Sequence, residues 1–71
     1  MDDGFNMSLR KFLKKVGVTS QQEIEEAVRE AREAGRLPAG RVEARVTLSI
    51  DGLDLSHQID GQIEMPGENG N

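Results

Sequence analysis

The sequence has no cysteine, no tryptophan and no tyrosine, and only one histidine and two prolines. Without cysteine there is neither a disulfide framework nor a thiolate metal site, and His57 alone cannot supply the ligands of a zinc centre. Aromatic content is confined to Phe5 and Phe12, so an interior must be assembled from Leu, Ile, Val, Met and Ala, which bury less apolar area per residue. The start, Met1-Asp2-Asp3-Gly4, is acidic, and no apolar run of signal-peptide or membrane-spanning length follows it. A cytoplasmic location is expected, and the lack of cysteine agrees with a reducing compartment.

What is present fits one small domain. The 71 residues are 35% hydrophobic, which leaves no room for a second core. For so small a scaffold, apolar burial at about 25 cal/mol per Å² is nearly cancelled by about 1.5 kcal/mol of ordering entropy per residue. With cross-links excluded, self-association is the remaining source of support. The formal net charge is -4, which argues against nucleic acid as the main partner. Its distribution is uneven: residues 1–17 sum to +2, residues 18–37 to -2 and residues 38–71 to -4.

Leu9, Phe12, Leu13 and Val16 recur at helical spacing, with Phe5 one heptad before Phe12, and Arg10, Lys11, Lys14 and Lys15 form the polar arc. Asn6 or Ser8 can cap this helix, and Gly17 followed by Val18 reads as its stop. Ser20 with Glu23, or Thr19 with Gln22, reads as a capping box that opens a second helix, whose stripe is Ile24, Ala27, Val28 and Ala31 and whose end is Gly35. Pro38-Ala39-Gly40 then links to a region of period two. Val42, Ala44, Val46, Leu48 and Ile50 alternate with polar residues, Asp51-Gly52 signals a hairpin turn, and the alternation resumes as Leu53, Leu55, His57, Ile59, Gly61 and Ile63. A two-residue loop pairs Ile50 with Leu53, a four-residue loop pairs it with Leu55, and both keep the same residues inward. Asp60-Gly61 reads as strand continuation, because a turn there would rotate Ile63 outward. The expected fold is α+β: two N-terminal helices packed on a C-terminal antiparallel β-hairpin (ααββ), a single domain over residues 1–65 with a disordered tail at 66–71.

The run Asn6-Met7-Ser8-Leu9-Arg10-Lys11-Phe12-Leu13-Lys14-Lys15-Val16-Gly17-Val18-Thr19-Ser20-Gln21, followed by Glu23-Ile24-Glu25, resembles an uncharacterised family of short proteobacterial proteins. The resemblance continues through Leu48-Ser49-Ile50-Asp51-Gly52-Leu53, while residues 36–41 and the tail are less typical. It implies bacterial origin. That family carries no assigned activity, so the resemblance assigns no catalytic residue, cofactor or partner.

No constellation suggests catalysis. Ser56 and His57 are adjacent in a strand and so point to opposite faces, which prevents a nucleophile and base pair. His57 reads as a partly buried structural residue, and Asp51, Asp54 and Asp60 lack metal-loop spacing. The helix, Gly17-Val18-Thr19-Ser20, helix passage has the outline of a helix-turn-helix, yet its reading helix would carry Glu23, Glu25, Glu26, Glu30 and Glu33. The expectation is therefore a small non-enzymatic protein-interaction domain, without cofactor, metal, small-molecule substrate or membrane span. Its partner is an unidentified protein or a second copy, met along the edge of the second strand beside Gln58 and Gln62. The alternative is contact of Arg10, Lys11, Lys14 and Lys15 with nucleic acid or another anionic surface.

Overall fold

The computed structural model describes residues 2–67. The chain divides into two compact units, Met1–Arg36 and Leu37–Asn71. The first is one α-helix and the second a two-stranded antiparallel hairpin.

Helix α1 runs from Asp3 to Glu33 without interruption. Asp2 is its N-cap, in extended conformation, and its carboxylate accepts the Phe5 backbone N–H at 2.7 Å. The other end is closed by a Schellman arrangement: Arg36 N–H donates to the Ala31 carbonyl at 2.8 Å, Gly35 N–H donates to that of Arg32 at 3.0 Å, and Gly35 has φ +72°. Leu37-Pro38 then prevents further winding, because a residue before proline is pushed out of the α region.

The expected pair of helices is thus a single helix, and the Gly17 stop and the Asn6 or Ser8 caps do not occur. The reason lies in the phase of the apolar stripe. Phe5, Leu9, Phe12, Val16, Ser20, Ile24, Ala27 and Ala31 follow one another at steps of three or four, straight across the supposed break. Phe5, Val16 and Ala27 are eleven apart, as are Leu9, Ser20 and Ala31, and an eleven-residue period, about 3.67 residues per turn, keeps one stripe aligned along a nearly straight helix. A glycine inside a helix costs only about 1 kcal/mol relative to alanine, less than losing the turns on either side. The capping candidates spend their hydroxyls within the helix: Thr19 Oγ1 donates to the Lys15 carbonyl at 2.8 Å, and Ser8 Oγ to that of Phe5 at 3.0 Å.

In the second unit, β1 (Arg41–Ile50) pairs with β2 (Leu55–Glu64) over ten residues without a bulge. The loop has four residues. Leu53 N–H donates to the Ile50 carbonyl at 3.3 Å, and Gly52 takes φ +85°. A two-residue type I′ turn would also require a positive φ at Asp51, which is not observed. Side chains settle the register as well. Pairing Ile50 with Leu55 sets Arg45 opposite Asp60 and Arg41 opposite Glu64, whereas the shorter loop would set Glu43 against Asp60. Asp60-Gly61 continues β2 as expected. At the open end Met65 N–H donates to the Gly40 carbonyl at 2.8 Å. The expected tail begins with half-buried Pro66 and exposed Gly67, and its remaining residues, 68–71, lie outside the described residues.

Candidate interaction surfaces

On α1 the four basic residues Arg10, Lys11, Lys14 and Lys15 share the face opposite the apolar stripe, and all four are exposed. None makes an ion pair among the described residues. The second half of the same face is laced by local contacts instead: Arg29 pairs with Glu26, and Gln21 Nε2 donates to Glu25 Oε2 at 3.1 Å. Because residues 3–33 form one helix, no helix-turn-helix exists here. A shallow depression lined by Asp3, Asn6, Met7 and Arg10 lies on the surface of its first turns and gathers no set of catalytic groups.

The hairpin has two distinct faces. One presents Val42, Ala44, Val46, Leu48 and Ile50 against Ile63, Gly61, Ile59, His57 and Leu55. The alternation expected from sequence holds, but the depth does not: Leu48 is half-buried, while Ile59 is 50% exposed. His57 stands opposite Leu48 and is exposed, which corrects its reading as partly buried. The other face is polar. Arg45 lies between Glu43 at 3.6 Å and Asp60 at 3.2 Å, and Gln58 Nε2 donates to the same Asp60 oxygen at 3.1 Å. Gln62 stands opposite Glu43 on this face.

The edge of β2 follows from hydrogen-bond parity. The Met65 to Gly40 bond belongs to the register of the ladder, so every second pair from there, Ile63 with Val42 through Leu55 with Ile50, exchanges bonds inside the hairpin. The backbone N–H groups of Ser56, Gln58, Asp60, Gln62 and Glu64 therefore point to the outer edge. Gln58 and Gln62 lie along this edge on the polar face of β2, and the four basic residues of α1 belong to the other unit.

Sequence reasoning missed the uninterrupted stripe of α1 as a surface. No residue of this helix is buried, and Phe12 and Leu13 are 48% and 52% exposed. The signal is the Val16, Ser20, Ile24 step, which is concealed because Ser20 also has the chemistry of a cap. Among the described residues no group of three or more His, Cys, Asp or Glu side chains converges, and no helix is long and apolar enough to cross a membrane.

Residues 1–66 match the model of a family of unknown function, DUF6494. The chain belongs to this family. No curated protein and no solved structure matches it. Membership in DUF6494 agrees with the resemblance to an uncharacterised family and assigns no chemistry to any residue.

Proposed function

We propose that this DUF6494 chain is a small, non-enzymatic protein-interaction domain of the bacterial cytoplasm that self-associates along the outer edge of β2. The observation that carries this reading is a regular ten-residue strand with no bulge, proline or lysine in it and no strand partner on its outer side among the described residues. Proteins that keep an edge unpaired blunt it with such features, and an edge without them accepts another strand. Asp60 would repel its counterpart across a two-fold axis, but Arg45 compensates that charge at 3.2 Å.

Sedimentation equilibrium over a wide concentration range tests the proposal, with Gln58→Pro as the decisive variant. This substitution removes an outward N–H and leaves the hairpin's own ladder intact. Association that weakens at least tenfold with an unchanged circular dichroism spectrum supports the edge contact. A monomeric mass throughout, or association indifferent to Gln58→Pro, overturns it.

A second reading rests on the four unpaired cations of α1. Arg10, Lys11, Lys14 and Lys15 on one helical face sum their fields toward phosphates or anionic lipid. Retention on heparin that falls with salt and is abolished by Lys14→Glu supports this alternative.

A further inference from the structure

We propose that α1 pairs antiparallel with α1 of a second copy through its apolar stripe, a contact separate from the β2 edge. An amphipathic helix in water draws most of its stability from covering its apolar face, and this one, about 46 Å long at 1.5 Å per residue, has no buried residue. Two independent asymmetries identify the occupant.

The first is charge. In residues 3–17, Asp3 against Arg10, Lys11, Lys14 and Lys15 leaves +3, and in residues 18–33 five glutamates against Arg29 and Arg32 leave -3. An antiparallel copy lays each half along its opposite, whereas a parallel copy lays like on like. These charges stand on the face away from the stripe, so unlike halves attract through their summed fields and not through ion pairs across the seam.

The second asymmetry is bulk. The stripe is heavy in its first half and light in its second. Reversal about residue 18 maps the stripe onto itself, setting Phe5 opposite Ala31, Leu9 opposite Ala27 and Phe12 opposite Ile24. At the two ends large side chains then meet alanine, which lets the helices approach within the usual 8–10 Å or so. A parallel pair would stack Phe5 on Phe5 and Phe12 on Phe12, leaving the alanine end loosely packed. The two-fold axis makes the contact isologous and closed.

Because the chain has no cysteine, single-cysteine variants report only the position introduced. The full chain carrying Leu9→Cys is mixed with the full chain carrying Ala27→Cys and oxidised mildly, in the native and the Gln58→Pro backgrounds. A disulfide needs Cα atoms within about 7 Å, and in the proposed pair the two copies of residue 9 stand about 27 Å apart. The expected product is the mixed 9–27 dimer, several-fold in excess of 9–9 and 27–27, in both backgrounds. A second measurement avoids the stripe: Lys11→Glu together with Lys14→Glu takes the first half from +3 to -1, and this variant should associate several-fold more weakly than the native chain at low salt. Predominant 9–9 and 27–27 dimers would overturn the antiparallel pair. So would a dimeric mass without mixed cross-links, which leaves the strand edge as the sole contact, or a monomeric mass at every concentration.

Discussion

Arg45 and Asp60 stand directly opposite each other across the hairpin, with Nε and Oδ1 3.2 Å apart, and Arg45 also reaches Glu43 at 3.6 Å. The pair lies mid-strand on the polar face, so it acts on register. Arg45→Glu would gather three carboxylates at one point, and the expected cost is about 1 kcal/mol of hairpin stability, read from cross-strand contacts by NMR during urea titration. Arg45→Ala should cost less, a few tenths to about 1 kcal/mol, because both partners are more than half exposed. Equal effects of the two variants would mean that charge at this position is irrelevant to the register.

Gly17 and Gly35 should respond in opposite directions to alanine. Gly17 is helical, and a Cβ built there meets nothing within 4 Å, so Gly17→Ala is expected to stabilise α1 by about 0.5–1 kcal/mol. Gly35 has open space too, but its φ of +72° penalises any side chain, so Gly35→Ala should destabilise by about 1 kcal/mol. Thermal melts followed at the helical circular dichroism band give both signs. A loss of stability in Gly17→Ala would restore a break at that residue.

Replacement of Asp2 by alanine should remove about 1 kcal/mol from helix stability, since its carboxylate holds the Phe5 N–H at 2.7 Å. Ser8→Ala should change the same melt by no more than about 0.5 kcal/mol, because that hydroxyl bonds backward to the Phe5 carbonyl and caps nothing. The ratio of the two effects measures where α1 begins.

Gly52→Ala tests the four-residue loop. With φ +85° at this position, the expected cost is about 1 kcal/mol, concentrated in the hairpin and visible as faster amide exchange in β1 and β2 with α1 unaffected. Exchange rates unchanged in the strands would show that the turn does not require the left-handed conformation.

By itself the sequence determined those features that depend on neighbours a few residues away. Alternation from Val42 to Ile50 and from Leu55 to Ile63 sets two strand faces because successive side chains point oppositely, and Asp51-Gly52 marks the turn between them. Gly35 before Leu37-Pro38 closes a helix because only there do a left-handed residue and a helix-incompatible dipeptide coincide. Arg10, Lys11, Lys14 and Lys15 share a face for the same local reason.

The structure decided what local signals left balanced. Gly17, Thr19 and Ser20 carry chemistry for both a break and a continuation, and the continuation wins because the stripe stays in phase from Val16 through Ser20 to Ile24 and each turn adds its hydrogen bonds cooperatively. Two hairpin registers kept identical residues on each face, so periodicity could not separate them. Pairs fifteen residues apart did, through the placement of Arg45 against Asp60 in place of Glu43 against Asp60. Which N–H groups of β2 point outward, those of Gln58 and Gln62 among them, was likewise a property of the ladder, fixed by the parity of the bond between Met65 and Gly40.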